Sequence, residues 1–125
     1  MSIRSYIKNK KVKHFNIAGI EVYEKDQITN DVDVRMVLSE IIKRIPDHLL
    51  SNVDSIYIGS FDFLKERDVQ AAYENSSIFI TNEQDTEEDM MDDIVHEIAH
   101  SIEEKYAREI YEDQKIESEF LQKRK

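Results

Sequence analysis

The order of elements that the sequence predicts is that of an α+β domain, and three observations indicate it. Apolar and polar residues alternate over residues 13–24 around an Ala-Gly pair, as in a β-hairpin. Apolar residues then recur at helical spacing from Val34 to Ile45. From Thr86 to the end, the chain keeps a helical pattern and contains neither glycine nor proline.

Turn residues and short apolar runs predict the elements between these segments. Asn30 or Asp31 is expected to cap a helix over residues 31–45, which Pro46 ends because the residue before a proline is displaced from α geometry. Strands are expected at residues 55–59, 69–73 and 77–81, with an irregular or 3₁₀ link over residues 47–52 and a helical turn within residues 61–67.

The helical pattern at the end of the chain has a defined beginning and one irregularity. Residues 86–89, Thr-Glu-Glu-Asp, have the form of a capping box and open a helix. The apolar phase slips near Asp113, so we expect a turn around Tyr111–Lys115 and then a last helix. The inward residues of that last helix are expected to be Ile116, Phe120 and Leu121.

Length and composition limit the functional classes. The 125 residues suffice for one domain with its own core, and we expect residues 1–125 to form a single domain. A net charge of −10 argues against nucleic acid as a partner, because neutralising phosphates requires clustered Lys and Arg. The exception is residues 1–12, which are either a basic arm or a solvated N-terminal segment.

Three further absences bear on location and chemistry. No apolar run approaches the roughly 18–20 residues of a membrane span, and no signal-peptide core follows the basic start. We therefore expect a cytoplasmic protein without membrane contact. The sequence contains no cysteine, so any zinc site must use histidine and carboxylate ligands.

The residues that carry chemistry are His96-Glu97-Ile98-Ala99-His100. On an α-helix, residues i and i+4 lie about 6 Å apart along the axis and roughly 40° apart around it. Two imidazoles so placed can converge on one Zn²⁺ at about 2.0–2.1 Å. Glu97 lies about 100° from His96 around the helix, so it is expected to flank the metal as a general base that takes a proton from metal-bound water.

The helical phase separates an apolar face from a polar one. The apolar face is predicted to hold Met91, Ile94, Val95, Ile98, Ala99, Ile102 and Tyr106, and the polar face Asp89, Asp93, His96, Glu97, His100 and Glu103. The competing interpretation is a solvated face that carries two histidines by coincidence. Asp92 and Asp93 either orient His96 or are solvated charges, and Glu103 and Glu104 are expected to be solvated.

This order of elements, together with the H-E-x-x-H pattern, resembles the zincin metallopeptidases. The resemblance implies a small twisted mixed sheet, a backing helix, an active-site helix and a C-terminal helix. By the same resemblance, residues 31–45 are the backing helix and residues 86–110 the active-site helix. Residues 69–74 would be an edge strand that can pair with an extended substrate.

A catalytic zinc usually has three protein ligands, and no histidine follows His100. The chain is similar to small single-domain gluzincins, and the gluzincin spacing of eighteen residues after the motif falls on Glu119. Glu117, Glu112, Asp113 or no residue at all remain alternatives. Lys123 stands where the family has an acidic residue that supports the third ligand.

The function that the resemblance implies is zinc-dependent hydrolysis of peptide bonds, with a peptide or protein as substrate. Tyr73, Tyr106 and Tyr111 are candidates to stabilise the negative charge of the tetrahedral intermediate. One alternative is a zincin scaffold with little or no hydrolysis that binds a partner, and another is a metal-binding protein that is not a peptidase. The oligomeric state is not predicted.

Overall fold

A computed structural model describes the backbone of residues 13–124 and the side chains of residues 13–109. The fold is α+β, as predicted, with five strands in one mixed sheet and a long C-terminal helix. In chain order its elements are β1 (Lys13–Ile17), β2 (Ile20–Glu24), α1 (Val34–Arg44), α2 (Asp47–Leu50), β3 (Ser55–Gly59), α3 (Asp62–Glu66), β4 (Ala71–Glu74), β5 (Ser77–Thr81) and α4 (Glu87–Arg124). The basic segment 1–12 lies outside the described residues. Among the helices described, none combines the length and apolarity that crossing a bilayer requires.

The strand order in the sheet is β1-β2-β3-β5-β4. The three central strands β2, β3 and β5 are parallel, and the two outer strands each run antiparallel to their neighbour. Strand β4 therefore lies at an edge, where an edge strand was predicted. It begins at Ala71, two residues later than the expected Val69.

Both hairpins close through two residues with positive φ. Ala18 and Gly19 join β1 to β2 with φ of 50° and 85°, and Asn75 and Ser76 join β4 to β5 with φ of 50° and 64°. Two consecutive left-handed residues match the right-handed twist of the flanking strands. The backbone of both turns thus fixes the pairing register that the alternating sequence predicts.

Helix α1 begins later than the sequence predicted. Neither Asn30 nor Asp31 caps it, because both adopt left-handed backbone angles, with φ of 57° and 53°. The cap is Asp33, whose side chain accepts a hydrogen bond from the Met36 amide at 3.1 Å. The helix ends at Arg44, next to an extended Ile45, as Pro46 requires.

The core lies between one face of the sheet and helices α1 and α4. The sheet and both helices contribute deeply buried side chains to it. Among them are Ile56, Ile58, Ile78 and Ile80 from the sheet, Val37, Leu38 and Ile41 from α1, and Met90, Ile94 and Ile98 from α4. Burying each such side chain contributes about 1.5–3 kcal/mol. This packing fixes how α4 is rotated about its axis.

Helix α4 begins as predicted and continues further than predicted. The Thr86 hydroxyl accepts a hydrogen bond from the Asp89 amide at 3.1 Å, which caps the first turn. The helix then runs unbroken from Glu87 to Arg124, so the turn predicted around Tyr111–Lys115 is wrong. No glycine or proline interrupts this stretch, and strong helix formers dominate it, so a slip in apolar phase does not break the helix.

Ile94 and Val95 test the rotation of α4, because the sequence pattern assigns both to the apolar face. Ile94 is fully buried, whereas Val95 is 41% exposed. We expect Ile94→Ala to lower the free energy of unfolding by about 2–5 kcal/mol, as for other buried large-to-small changes. Val95→Ala should change it by less than about 0.5 kcal/mol. Chemical denaturation measures both, and equal losses would contradict this rotation of the helix.

Candidate metal centre

The inner face of α4 is rotated relative to the sequence prediction. Its buried residues are Met90, Ile94, Glu97, Ile98 and Ser101, whereas Val95 and Tyr106 are exposed. Seven residues make almost two full helical turns, so Glu97 lies only about 20° from Met90 around the axis. The assignment of Glu97 to the exposed polar face was therefore wrong, while the histidines lie on the exposed side as expected.

His96 and His100 face each other one turn apart. Their Nε2 atoms are 3.0 Å apart, and their ring centroids are 4.6 Å apart with the planes at 89°. Two nitrogen ligands of a tetrahedral zinc with bonds of about 2.05 Å would be about 3.3 Å apart. The distance between the two Nε2 atoms is thus within a few tenths of an ångström of the distance that zinc binding would require.

Glu97 brings a carboxylate to the histidine pair. One oxygen of Glu97 and one nitrogen of each histidine all lie within 4.8 Å of one another. The side chain is only 5% exposed, and its buried Oε2 has no hydrogen-bond partner in the described part of the protein. A buried acceptor without a partner costs roughly 1–3 kcal/mol, so this oxygen indicates a missing donor or cation.

The surroundings of Glu97 favour its protonated form in the absence of a metal. Burial raises the pKa of Glu97 above the ordinary value of 4.5, and the nearby Asp93 charge raises it further. Positive charge on His100 or His96 would lower this pKa again. Cationic charge at the histidine position would therefore favour the ionised form of the carboxylate.

Asp93 lies one turn before the motif and is half-buried. Gln84 donates a hydrogen bond from Nε2 to Asp93 Oδ2 at 3.5 Å, and burial raises the pKa of Asp93. In the described region, no hydrogen bond joins Asp93 or the exposed Asp92 to His96. An influence of Asp93 on His96 is therefore supported by their electrostatic attraction, which lowers the pKa of Asp93, and not by a hydrogen bond.

Glu103 is exposed, as expected for a solvated charge, and it also contacts His100. Its Oε2 lies 3.4 Å from Nδ1 of His100, the nitrogen that faces away from His96. The signal in the sequence was the i, i+3 spacing, which places two helical side chains side by side. Glu104, in contrast, contacts Arg108 at 3.4 Å.

Within residues 13–109, His96, Glu97 and His100 form the one group of three candidate metal ligands. The side chain of Glu119 lies outside the described residues, as do those of Glu117, Glu112 and Asp113. On an unbroken helix, the backbone of Glu119 is about 28 Å from that of His100, at 1.5 Å per residue. This conformation therefore does not bring Glu119 to the histidines, and its role as third ligand stays a prediction.

The candidate tyrosines are not equivalent. Tyr73, on the edge strand, is half-buried and donates a hydrogen bond to the Asn52 carbonyl at 3.3 Å, so its hydroxyl already has an acceptor. Tyr106 is 45% exposed, and the side chain of Tyr111 lies outside the described residues. The structure gives no contact from any of them to the histidine pair.

Comparisons with known proteins do not identify a family for this chain. The chain has no significant match to any protein-family model, curated protein or solved structure. What the site can do is therefore argued from the two facing imidazoles and the buried carboxylate alone.

Removing the Glu97 charge is expected to stabilise the metal-free protein. Glu97→Gln replaces a buried, unpartnered carboxylate with a neutral amide of similar size, so in excess EDTA near pH 7 the free energy of unfolding should rise by about 1 kcal/mol. A raised pKa means that the folded protein holds this proton more tightly than the unfolded chain does. The wild type should therefore lose stability relative to the variant as pH rises above 4.5, the ordinary glutamate pKa.

Urea denaturation over a pH series measures this difference. Glu104→Gln is the matched control, because it removes the same charge from an exposed position on the same helix. Its stability curve should run parallel to that of the wild type. If Glu97→Gln also ran parallel, or were less stable at neutral pH, the carboxylate would have a partner that the structure does not contain.

Proposed function

We propose that the chain is a zinc-dependent metallopeptidase of zincin type, close to the gluzincins. The observation that carries this proposal is the convergence of two imidazole Nε2 atoms and a buried, unpartnered carboxylate on one and a half turns of a single helix. A solvated face that carried two histidines by coincidence would have no need to bury the acid between them.

In this proposal His96 and His100 hold the ion through Nε2, and Glu97 stays beside it. Zinc, when bound, lowers the pKa of a coordinated water and polarises a carbonyl oxygen. Glu97 accepts the proton of the attacking water on its carboxylate and passes it to the leaving amine nitrogen. Burial suits Glu97 to this task, because a raised pKa makes its carboxylate a stronger base than that of an exposed glutamate.

The position of the edge strand supports a peptide as substrate. Strand β4 contacts α4 on the same side of the sheet as the core, and it pairs with β5 through only one of its two edges. The other edge has no strand partner among residues 13–124. An extended peptide could add there as a further strand, held by main-chain hydrogen bonds to the strand that contacts α4.

The partner-binding alternative is favoured by one observation. With Glu97 in the role of base, the described residues supply two nitrogen ligands and no further candidate, whereas a catalytic zinc usually has three protein ligands. A zincin scaffold that binds extended peptides without cleaving them would need only the sheet edge. Chelator-sensitive cleavage separates the two functions.

The histidine pair is expected to bind zinc directly. His96→Ala and His100→Ala should each abolish tight binding, because one remaining imidazole cannot hold the ion against water and chelators. Competition against a chromophoric chelator measures the affinity. His48→Ala is the matched control: His48 is exposed on α2, and its loss should leave the affinity unchanged.

The same titration tests the third ligand. If Glu119 reaches the ion, Glu119→Ala weakens binding while Glu117→Ala and Glu112→Ala do not. Equal affinities for all three variants would reject Glu119. Unchanged zinc stoichiometry in both histidine variants would reject the site itself.

Glu97→Gln is expected to separate binding from hydrolysis. Loss of a general base should lower the rate of peptide cleavage by about 10²–10⁴-fold, while the bound zinc remains. The assay is cleavage of a denatured protein, blocked by chelator and restored by zinc, with Glu88→Gln as an exposed control on the same helix. Loss of zinc from Glu97→Gln would make Glu97 a ligand. Absence of cleavage by the zinc-loaded wild type would favour the partner-binding scaffold.

A further inference from the structure

We infer that Glu103 is a positioning residue for His100, an inference that rests on the proposed zinc site. Its carboxylate holds the imidazole proton on Nδ1, so that the lone pair of Nε2 faces the ion. The role goes beyond the ligands and the base, because Glu103 would touch neither the metal nor the substrate.

The contacts of the His100 ring carry the argument. Its two nitrogens meet different neighbours: Nδ1 lies 3.4 Å from Glu103 Oε2, and Nε2 lies 3.0 Å from Nε2 of His96. A neutral imidazole carries a single proton, and a carboxylate beside one nitrogen attracts that proton to it. Nε2 is then left as an acceptor, which is the form that binds a metal.

The two histidines differ in this respect. In the described region, Nδ1 of His96 has no carboxylate contact, and Asp93, one turn before it, is hydrogen-bonded to Gln84 instead. His100 alone has an acidic side chain beside the outer nitrogen. The removal of that acid should therefore act on His100 directly and reach His96 only through the contact between the two Nε2 atoms.

Exposure decides which property Glu103 affects. Its side chain is 73% exposed, and exposed ion pairs contribute little to the stability of a fold. An outer-shell partner of a metal-bound histidine, in contrast, typically changes metal affinity by about 10–100-fold. The loss of Glu103 should thus weaken zinc binding while leaving unfolding unchanged.

Glu104 provides a matched control. It is the next residue, carries the same charge and lies four residues after His100, yet its carboxylate contacts Arg108 rather than the histidine. A general effect of negative charge near the site would appear equally in Glu103→Ala and Glu104→Ala. An effect through Nδ1 of His100 would appear only in the first.

The experiment measures zinc affinity and the histidine tautomer in the full chain. We expect Glu103→Ala to raise the Kd for zinc by about 10–100-fold and Glu104→Ala to leave it unchanged, with an intermediate value for Glu103→Gln, whose amide oxygen keeps an acceptor near Nδ1 without the negative charge. In ¹⁵N spectra of the metal-free protein, His100 should be protonated on Nδ1 in the wild type and lose this preference in Glu103→Ala. Because the two Nε2 atoms are 3.0 Å apart and one of them must donate, the tautomer of His96 is expected to change together with that of His100.

Each outcome has a definite meaning. Equal affinities for the two alanine variants would overturn the role of Glu103, as would a weaker Glu103→Ala variant in which the His100 tautomer is unchanged. Failure of the wild type to bind zinc would instead refute the proposed metal site. The tautomer of His100 is read without metal, so the two failures can be told apart.

Discussion

The rotation of α4 about its own axis is the constraint on which the candidate site depends. Met90, Ile94 and Ile98 are buried against the sheet and α1, and together they fix which side of the helix faces inward. Once that side is fixed, the one-residue step from His96 to Glu97 carries the acid into the core. The four-residue step from His96 to His100 keeps both imidazoles on the exposed side.

The burial of Glu97 lowers the stability of the fold at a residue that the proposed function requires. A buried carboxylate oxygen without a donor costs roughly 1–3 kcal/mol, which is no more than one well-buried aliphatic side chain contributes. The apolar residues on either side of Glu97 offset that cost, so the helix can keep an acid that the core does not need. Such a local cost at a site of convergent polar groups is where a functional role is expected.

Short-range signals predicted most of the fold. The hairpin turns, the stop at Pro46 and the cap at Thr86 depend on neighbouring residues, and each lies where the sequence placed it. The burial of Glu97 did not follow from the pattern, because apolar residues surround almost half of the helix and periodicity cannot tell which part meets the sheet. Asp33 was missed as a cap because the left-handed turn before it depends on contacts distant in sequence, including Thr29 and Asn30 with the Gln84 carbonyl.

The difference between short-range and long-range signals also explains which parts of the metal centre could be predicted from the sequence. Both candidate nitrogen ligands, the base and Glu103 lie within two turns of one helix, so their mutual spacing follows from helix geometry and requires only the correct rotation. A third ligand must approach from another part of the chain, and its position depends on where the backbone turns. The unbroken α4 carries residues 110–124 away from the histidines instead of back towards them. For a third ligand from that segment to reach the ion, the helix would have to turn back between His100 and Glu119, and no glycine or proline there favours such a bend.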